Sequence, residues 1–143
     1  MKEPYLVLLY YCYTNISNPN KFREKHHLFC IDNNLKGRII VSKEGINGTI
    51  SGKKNDCENY MKKIYSDIRF KNVEFKIAKY PKNVFNKLNV RLKKEIVNSG
   101  IKNIDPNKLS GKYIEPKEFK SILKNNDDDV VILDIRSNYE YNV

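Results

Sequence analysis

A helical stripe between two strand signals constrains the fold of this sequence more than any other feature. Between positions 57 and 68 the apolar side chains recur at spacings of 3, 1, 3, 1 and 3, the pattern of a helix with one buried face. The stripe consists of Cys57, Tyr60, Met61, Ile64, Tyr65 and Ile68. Because β-type runs precede and follow it, the chain is expected to pack helices against a sheet.

The residues before this stripe predict a strand, a helix and a hairpin. The apolar run 5–13 predicts a central strand buried on both faces. Asn18 and Pro19 predict a helix start. Apolar residues follow at helical spacing in that helix, at Phe22, His26, Phe29 and Cys30. "RIIVS" and "NGTIS" predict two strands joined by the turn "KEGI".

After the stripe, "NVEFKIAKY" predicts a strand that buries Val73, Phe75 and Ile77 and leaves its other face in solvent. The predicted order within the first 80 residues is therefore β-α-β-β-α-β. That order is typical of an α+β ferredoxin-like fold with two helices on one face of an antiparallel sheet. The fold hosts RNA-binding modules, enzymes and metal carriers, so it fixes no function.

The remainder of the sequence predicts one more alternating stretch, a linker and the beginning of a second domain. Leu88, Val90 and Leu92 alternate with a cationic face, and the segment 98–113 is rich in Gly, Pro, Asn and Ser. "EPKEFKSILKNN" predicts a short helix, and "VVIL" a buried strand. The predicted domains are 1–97, the linker 98–113 and a truncated domain over 114–143.

The basic charge lies in the first part of the chain. Residues 1–126 hold 26 Lys and Arg against 12 Asp and Glu, whereas residues 127–143 hold one Arg against five acids. This balance favours a polyanionic partner, although a lysine-rich surface also serves solubility or reflects biased base composition. The sequence shows no signal peptide and no apolar run near the roughly 20 residues that span a bilayer, so a cytoplasmic protein without a membrane partner is expected.

Three cysteines without CxxC spacing argue against a disulfide framework or a zinc site. Cys12 lies in a predicted strand, and Cys30 and Cys57 lie on helix stripes, so packing is the expected role of all three. His26 and His27 are adjacent and would diverge by about 100° on a helix. A partly buried His26, a solvated His27 and no metal site are therefore expected.

The glycines of "KEGINGTISG" have two possible uses. Gly45 suits a hairpin turn with positive φ, and Gly48 within a strand indicates a bulge or the close approach of another group. A phosphate cradle is the alternative, but such cradles often open a helix and this segment leads into a strand. Glu44 either caps the turn or contacts a substrate.

Four blocks of the sequence resemble a known family. "GRIIVSKEGINGTISG", "LNVRLKKEIV", "GKYIEPKEF" and "VVILDIRSNYEY" occur in the order and spacing of the rhodanese-domain tRNA wobble-uridine hydroxylases. The resemblance covers nearly the whole chain and implies an acylphosphatase-like domain followed by the first elements of an α/β rhodanese-like domain. It further implies oxygen-dependent formation of 5-hydroxyuridine, with tRNA rather than DNA as partner, molecular oxygen as co-substrate and no other evident cofactor.

The resemblance leaves alternatives open, because the family's cysteine is expected beyond Val143 and the chain then holds no catalytic residue. The chain could be the tRNA-orienting part of a hydroxylase, a stand-alone RNA-binding remnant, or part of a rhodanese-type sulfurtransferase. Acylphosphatase activity is not expected, because "TNISNPN" offers no arginine to hold a phosphoryl group.

The candidate site residues fall into three groups. The predicted RNA contacts are Arg38, Lys43, Arg91, Lys93 and Lys94. The predicted turn motif comprises Glu44, Gly45, Asn47 and Gly48. In rhodanese-like domains the residues that match Asp134 and Arg136 fix a strand end, so a structural role is expected for this pair.

Overall fold

A computed structural model describes residues 4–98, 100–101, 104–109, 111–125 and 129–142. Contacts divide the chain into two compact units, Met1–Ser110 and Gly111–Val143. The predicted linker spans this division, and its role as a linker stays a prediction.

The first unit is built on a five-stranded sheet. The strands are β1 (Tyr5–Tyr13), β2 (Lys36–Ser42), β3 (Gly45–Lys53), β4 (Lys76–Tyr80) and β5 (Leu88–Leu92), in the spatial order β4-β1-β3-β2-β5. All neighbours are antiparallel except β2 and β5, which are parallel. Helices α1 (Pro19–Asp32) and α2 (Lys54–Tyr65) complete the predicted β-α-β-β-α-β order. The ferredoxin-like fold is thus confirmed, with β5 added beside β2.

The core lies between the helices and one face of the sheet. Leu8, Ile39 and Ile50 are completely buried there, as are Cys30 of α1 and Tyr60 of α2. Each strand contributes every second residue to this face, because side chains alternate along a strand. The predicted start of α1 is also observed, since Asn18 Oδ1 accepts a hydrogen bond from the amide of Lys21 at 3.0 Å.

Two predictions about the strands were wrong. β1 is buried on one face only, because both helices of the first unit's described residues pack against that face, and Leu9 and Tyr11 on the other face are 45% and 49% exposed. β4 begins at Lys76 rather than near position 72, and Ile77 is 51% exposed. β4 is an edge strand, so its side chains lack neighbours on one side.

The helical stripe of residues 57–68 ends earlier than predicted. Cys57, Tyr60 and Ile64 are buried, but α2 ends at Tyr65 and a short 3-10 turn follows over Ile68–Phe70. Ile68 is therefore 74% exposed. Phe70, not Ile68, enters the core from this turn, and it is 1% exposed.

The second unit contains two helices, α3 (Pro116–Asn125) and α4 (Asn138–Tyr141). The predicted helix over "EPKEFKSILKNN" is confirmed by α3. The predicted buried strand "VVIL" is not observed: Val130–Leu133 has no strand pairing, and Val131 and Leu133 are 79% and 78% exposed. A strand needs a hydrogen-bonded neighbour, and none of the described residues supplies one.

Candidate nucleic-acid interface

The sheet has a second face, which we call the open face, opposite α1 and α2. It carries the odd-numbered residues of β1, β3 and β5 and the even-numbered residues of β2 and β4. Directly paired residues share a face, so the register fixes this assignment. Leu9 and Tyr11 of the central strand β1 lie on it.

Cations but no acids occupy the strand positions of the open face. The five basic side chains at its strand positions are all exposed: Lys36, Arg38, Lys53, Lys76 and Arg91. No Asp or Glu occupies a strand position on this face. By contrast, α1 and α2 each contain three basic and two acidic residues. The strand positions of the open face therefore carry only positive charge, whereas the helices carry charge of both signs. This difference makes the open face the better surface for a polyanion.

The structure brings two of the predicted RNA contacts onto this face. Arg38 of β2 pairs with Asn89 of β5, and Arg91 lies two residues further along β5. The Arg91 Nε donates to Asn89 Oδ1 at 2.9 Å, which fixes the guanidinium along the strand.

The other three predicted contacts lie at the ends of strands. Lys43 is exposed in the β2–β3 turn. The exposed residues Lys93 and Lys94 follow β5, and the amide of Lys93 donates to the carbonyl of Val41 at 3.0 Å. These lysines are not part of the strand rows that hold Arg38 and Arg91.

Sequence reasoning missed three cations of the open face, namely Lys36, Lys53 and Lys76. The period-2 alternation of Lys36 with Arg38 was a usable signal within β2. Lys53 and Lys76 belong to strands that are neighbours of β1 only through tertiary pairing. Sequence alone does not give that strand order.

The turn motif holds the segment that follows β5. Glu44 Oε1 accepts a hydrogen bond from the amide of Ile96 at 2.7 Å, and Asn47 Nδ2 donates to the carbonyl of Ile96 at 2.9 Å. Ser42 Oγ supports the turn by accepting from the amide of Glu44 at 3.0 Å. Two sequence blocks that carry the family resemblance, "GRIIVSKEGINGTISG" and "LNVRLKKEIV", are therefore joined by the contacts of Glu44 and Asn47 with Ile96.

The glycines of the motif provide space for neighbouring groups. Gly45 has φ +152°, and a Cβ there would lie 2.0 Å from the carbonyl oxygen of Cys12. A Cβ on Gly48 would lie 2.4 Å from the hydroxyl of Tyr10. Gly45 therefore excludes any side chain, whereas a Cβ at Gly48 would require the buried ring of Tyr10 to shift, so each position has a structural reason for glycine.

A buried polar network lies behind Gly48, on the helix side of the sheet. The hydroxyls of Tyr10 and Tyr60 are hydrogen-bonded, and His26 Nε2 lies 2.7 Å from the Tyr60 hydroxyl. Burial, with a smaller contribution from Lys63, lowers the pKa of His26 to about 4. Burial also raises the pKa of Tyr10 and Tyr60. All three groups are thus neutral at pH 7 and serve the core.

The three thiols are protonated for the same reason. Burial raises the pKa of Cys30 to about 12 and that of Cys57 to about 11, and it also raises the pKa of the half-buried Cys12. Nucleophilic chemistry needs a thiolate, so none of these cysteines is activated. Packing is confirmed for Cys30 and Cys57, while Cys12 is only partly enclosed.

In the second unit, Asp134 and Arg136 pair with each other. Arg136 donates from Nε to Asp134 Oδ1 at 2.9 Å and from Nη2 to Oδ2 at 2.6 Å. This guanidinium lowers the pKa of Asp134. Both side chains are exposed, and the pair precedes α4.

Within the described parts of the chain, no group of His, Cys, Asp and Glu side chains is arranged to hold a metal ion. Nor does any described helix combine the length and apolar character needed to cross a bilayer.

Comparison with known proteins gives the family. Residues 5–96 match the family model described as the UPF0176 acylphosphatase like domain. A relative from Cytophaga hutchinsonii, named tRNA uridine(34) hydroxylase, is 51% identical over 143 residues, which is 100% of this chain and 45% of the relative. A Staphylococcus haemolyticus protein of the same name is 49% identical over 140 residues, covering 97% of this chain and 43% of that protein. The chain thus spans less than half the length of these curated relatives.

Among solved structures, the dark-state structure of BlrB, a BLUF protein, is similar with a TM-score of 0.54 and 13% identity. The similarity covers 64% of this chain and 74% of BlrB, and it shows the fold alone. The family model and the curated relatives confirm the resemblance found in the sequence blocks. The chain therefore belongs to the UPF0176 family, and its residues 5–96 form the acylphosphatase-like domain of that family.

Proposed function

We propose that this chain is the tRNA-orienting, N-terminal part of a cytoplasmic enzyme that converts the wobble uridine of tRNA to 5-hydroxyuridine, with molecular oxygen as co-substrate. The observation that carries the proposal is the 51% identity, over the whole chain, to a protein named tRNA uridine(34) hydroxylase. Because the chain spans 45% of that relative, the proposal assigns it a share of the activity and not the whole.

The open face provides a physical basis for the proposed orientation of tRNA. Five exposed cations, at strand positions that include no acid, attract the phosphates of RNA, and phosphate contacts hold a nucleic acid in place without reading its sequence. Orientation of tRNA is therefore the role that this part performs.

Catalysis is assigned to residues outside this chain. The thiols of Cys30 and Cys57 are buried and protonated, and burial also raises the pKa of the Cys12 thiol. A sulfurtransferase would also need an activated thiolate, which the described residues do not provide. We therefore expect the 143-residue chain to bind tRNA and to form no product.

The test compares this chain with the full-length relative from Cytophaga hutchinsonii. Each is incubated with unmodified tRNA and oxygen, and 5-hydroxyuridine is quantified by mass spectrometry of the nucleosides. The expected result is product with the full-length protein alone and tRNA binding by both. Product from the short chain, abolished by Cys12→Ser, would place catalysis inside this unit, and absence of tRNA binding would contradict the orienting role.

A further inference from the structure

Two segments cross the open face, and the first joins β4 to β5. These strands lie at opposite edges of the sheet, so their connection over residues 81–87 must pass β1, β3 and β2. Asn83 Nδ2 donates to the carbonyl of Ser51 on β3 at 3.3 Å, which marks the crossing point. Ser51 belongs to the open face and is nevertheless completely buried. This end of the face is therefore covered.

The second crossing segment is the one held by Glu44 and Asn47. Asn47 lies on the open face, four residues before Ser51 on β3, and its amide binds the carbonyl of Ile96. Ile96 is 1% exposed but does not belong to the core cluster between the sheet and the helices. Its burial is therefore on the open side of the sheet.

Between the two covered positions on β3 lies Thr49. The register places it in a row across all five strands, which we call the central row: Lys76, Leu9, Thr49, Arg38 and Asn89. Four strand spacings make the row about 19 Å long. At roughly 3.4 Å per stacked nucleotide, that length matches about six nucleotides of one strand.

The side chains of the central row suit unpaired nucleotides better than a duplex. Leu9 is 45% exposed in the middle of the face, and the exposed ring of Tyr11 follows it on the same strand. Apolar and aromatic surface binds base faces, which a duplex hides within its stack. Lys76 and Arg38 lie on either side of Leu9, one and two strands away, where they can reach phosphates.

We propose that the central row, together with Tyr11, binds an unpaired stretch of RNA, with a base stacked on the Tyr11 ring and phosphates held by Lys76 and Arg38. This inference rests on the proposed function and specifies which part of the RNA this surface takes. Tyr13 supports the platform, since its ring meets that of Tyr11 edge-on with centroids 6.1 Å apart. An unpaired stretch is also the form in which a wobble nucleotide is presented, in the loop of the anticodon arm.

The experiment measures binding of the 143-residue chain to three fluorescent probes: tRNA, a single-stranded RNA oligonucleotide, and an RNA duplex of the same length. Tyr11→Ala is expected to weaken single-strand binding about tenfold, while Tyr11→Phe keeps it within about twofold, because the ring and not the hydroxyl carries stacking. Arg38→Ala is expected to weaken binding about fivefold and to lower the salt slope by about one. Tyr139→Ala, an equally simple loss of an exposed tyrosine in the second unit, is the matched control and should change nothing.

The outcomes separate this inference from the proposed function. Single-strand binding that falls with Tyr11→Ala and persists with Tyr11→Phe supports the inference, provided that circular dichroism shows both variants folded. Equal affinity for duplex and single strand, unaffected by either Tyr11 variant, overturns the inference and leaves tRNA binding in place. A chain that binds none of the three probes overturns both, and the open face then serves a protein partner instead.

Discussion

The chain contains the same tripeptide twice, Asp67-Ile68-Arg69 in the first unit and Asp134-Ile135-Arg136 in the second. Their local geometry is nearly identical. The amide of the arginine donates to aspartate Oδ1 at 3.1 Å in the first copy and 3.0 Å in the second, and the arginine Nε donates to the same atom at 2.9 Å in both. Both guanidinium groups also lie 5.3 Å from an aromatic ring.

The surroundings of the two copies differ. The first is followed by Phe70, which enters the core and is 1% exposed, and Arg69 lies over the rings of Phe22 and Phe70. In the second, Ile135 is 94% exposed and the preceding residues pair with no strand. Three residues are thus enough to form the turn, whereas burial needs a sheet behind it. If burial determines stability, matched substitutions should destabilise the first unit more than the second. If local sequence determines it, their effects should be similar in the two units.

The largest difference is expected between two glycines. Gly45→Ala would place a Cβ 2.0 Å from a backbone oxygen in a conformation that L-residues avoid, so we expect a loss of about 4 kcal/mol. Gly111 has no atom within 4 Å of the corresponding position, and Gly111→Ala should change stability by less than about 0.5 kcal/mol. Urea unfolding followed by circular dichroism measures both. Similar losses in the two variants would mean that the second unit is as tightly packed as the first.

The second largest difference in stability is expected between two isoleucines, one buried and one exposed. Ile50 is completely buried in β3, and Ile50→Ala should cost about 3 to 4 kcal/mol in the free energy of unfolding. Ile135 is 94% exposed, so Ile135→Ala should cost less than about 0.5 kcal/mol. Denaturant midpoints at constant slope report the difference. A large loss from Ile135→Ala would show that the segment around it is buried in solution.

Between pH 7 and pH 4.5 the largest pH dependence should come from the first unit, which contains both histidines. The pKa of His26 falls from 6.5 to about 4 on folding, so the unfolded chain binds the proton more readily. Stability is therefore fully present above about pH 6.5 and is lost as the pH falls toward 4, by about 2 to 3 kcal/mol.

The variant His26→Gln tests this assignment, since it can still bond the Tyr60 hydroxyl and cannot be protonated. Its unfolding free energy, measured by urea titration between pH 7 and pH 4.5, should fall less steeply than that of the natural chain. Parallel pH profiles for the two proteins would show that His26 is not the titrating group.

The smallest difference is expected between the two aspartates of the repeated tripeptide. Arg69 lowers the pKa of Asp67, and Asp67→Asn should cost a few tenths of a kcal/mol, because the pair remains partly exposed to solvent. The Asp134 side chain is more exposed, at 43% against 30% for Asp67, and Asp134→Asn should leave the unfolding midpoint unchanged. Thermal melts of both variants make the comparison. A shift only for Asp134→Asn would reverse the ranking of the two regions.

Much of the first unit was predictable because its signals are local. Asn18 and Pro19 start α1 as their chemistry requires, and the stripe around Tyr60 forms α2. The errors arose where local signals depend on neighbours. The apolar run of β1 does not reveal that Leu9 and Tyr11 face solvent. The same run of apolar residues would fit a strand covered on one face of the sheet or on both.

The candidate site was less predictable than the fold. Arg38 and Arg91 were found from their charge, but their shared face depends on the parallel pairing of β2 with β5. Lys76 joins them only because β4 pairs with β1. The contacts of Glu44 and Asn47 with Ile96 link residues about fifty positions apart, and no local period encodes such a contact.

The sequence by itself determined the β-α-β-β-α-β order of the first 80 residues, the helix start at Asn18 and the location of the basic charge. Each follows from groups within a few residues of one another, whose steric and hydrogen-bonding preferences act before any tertiary contact forms. Only the tertiary structure decided which face of the sheet stays open, which cations share it and where two segments cross it. Those outcomes depend on strand order and register, which are set by the burial of distant side chains against one another.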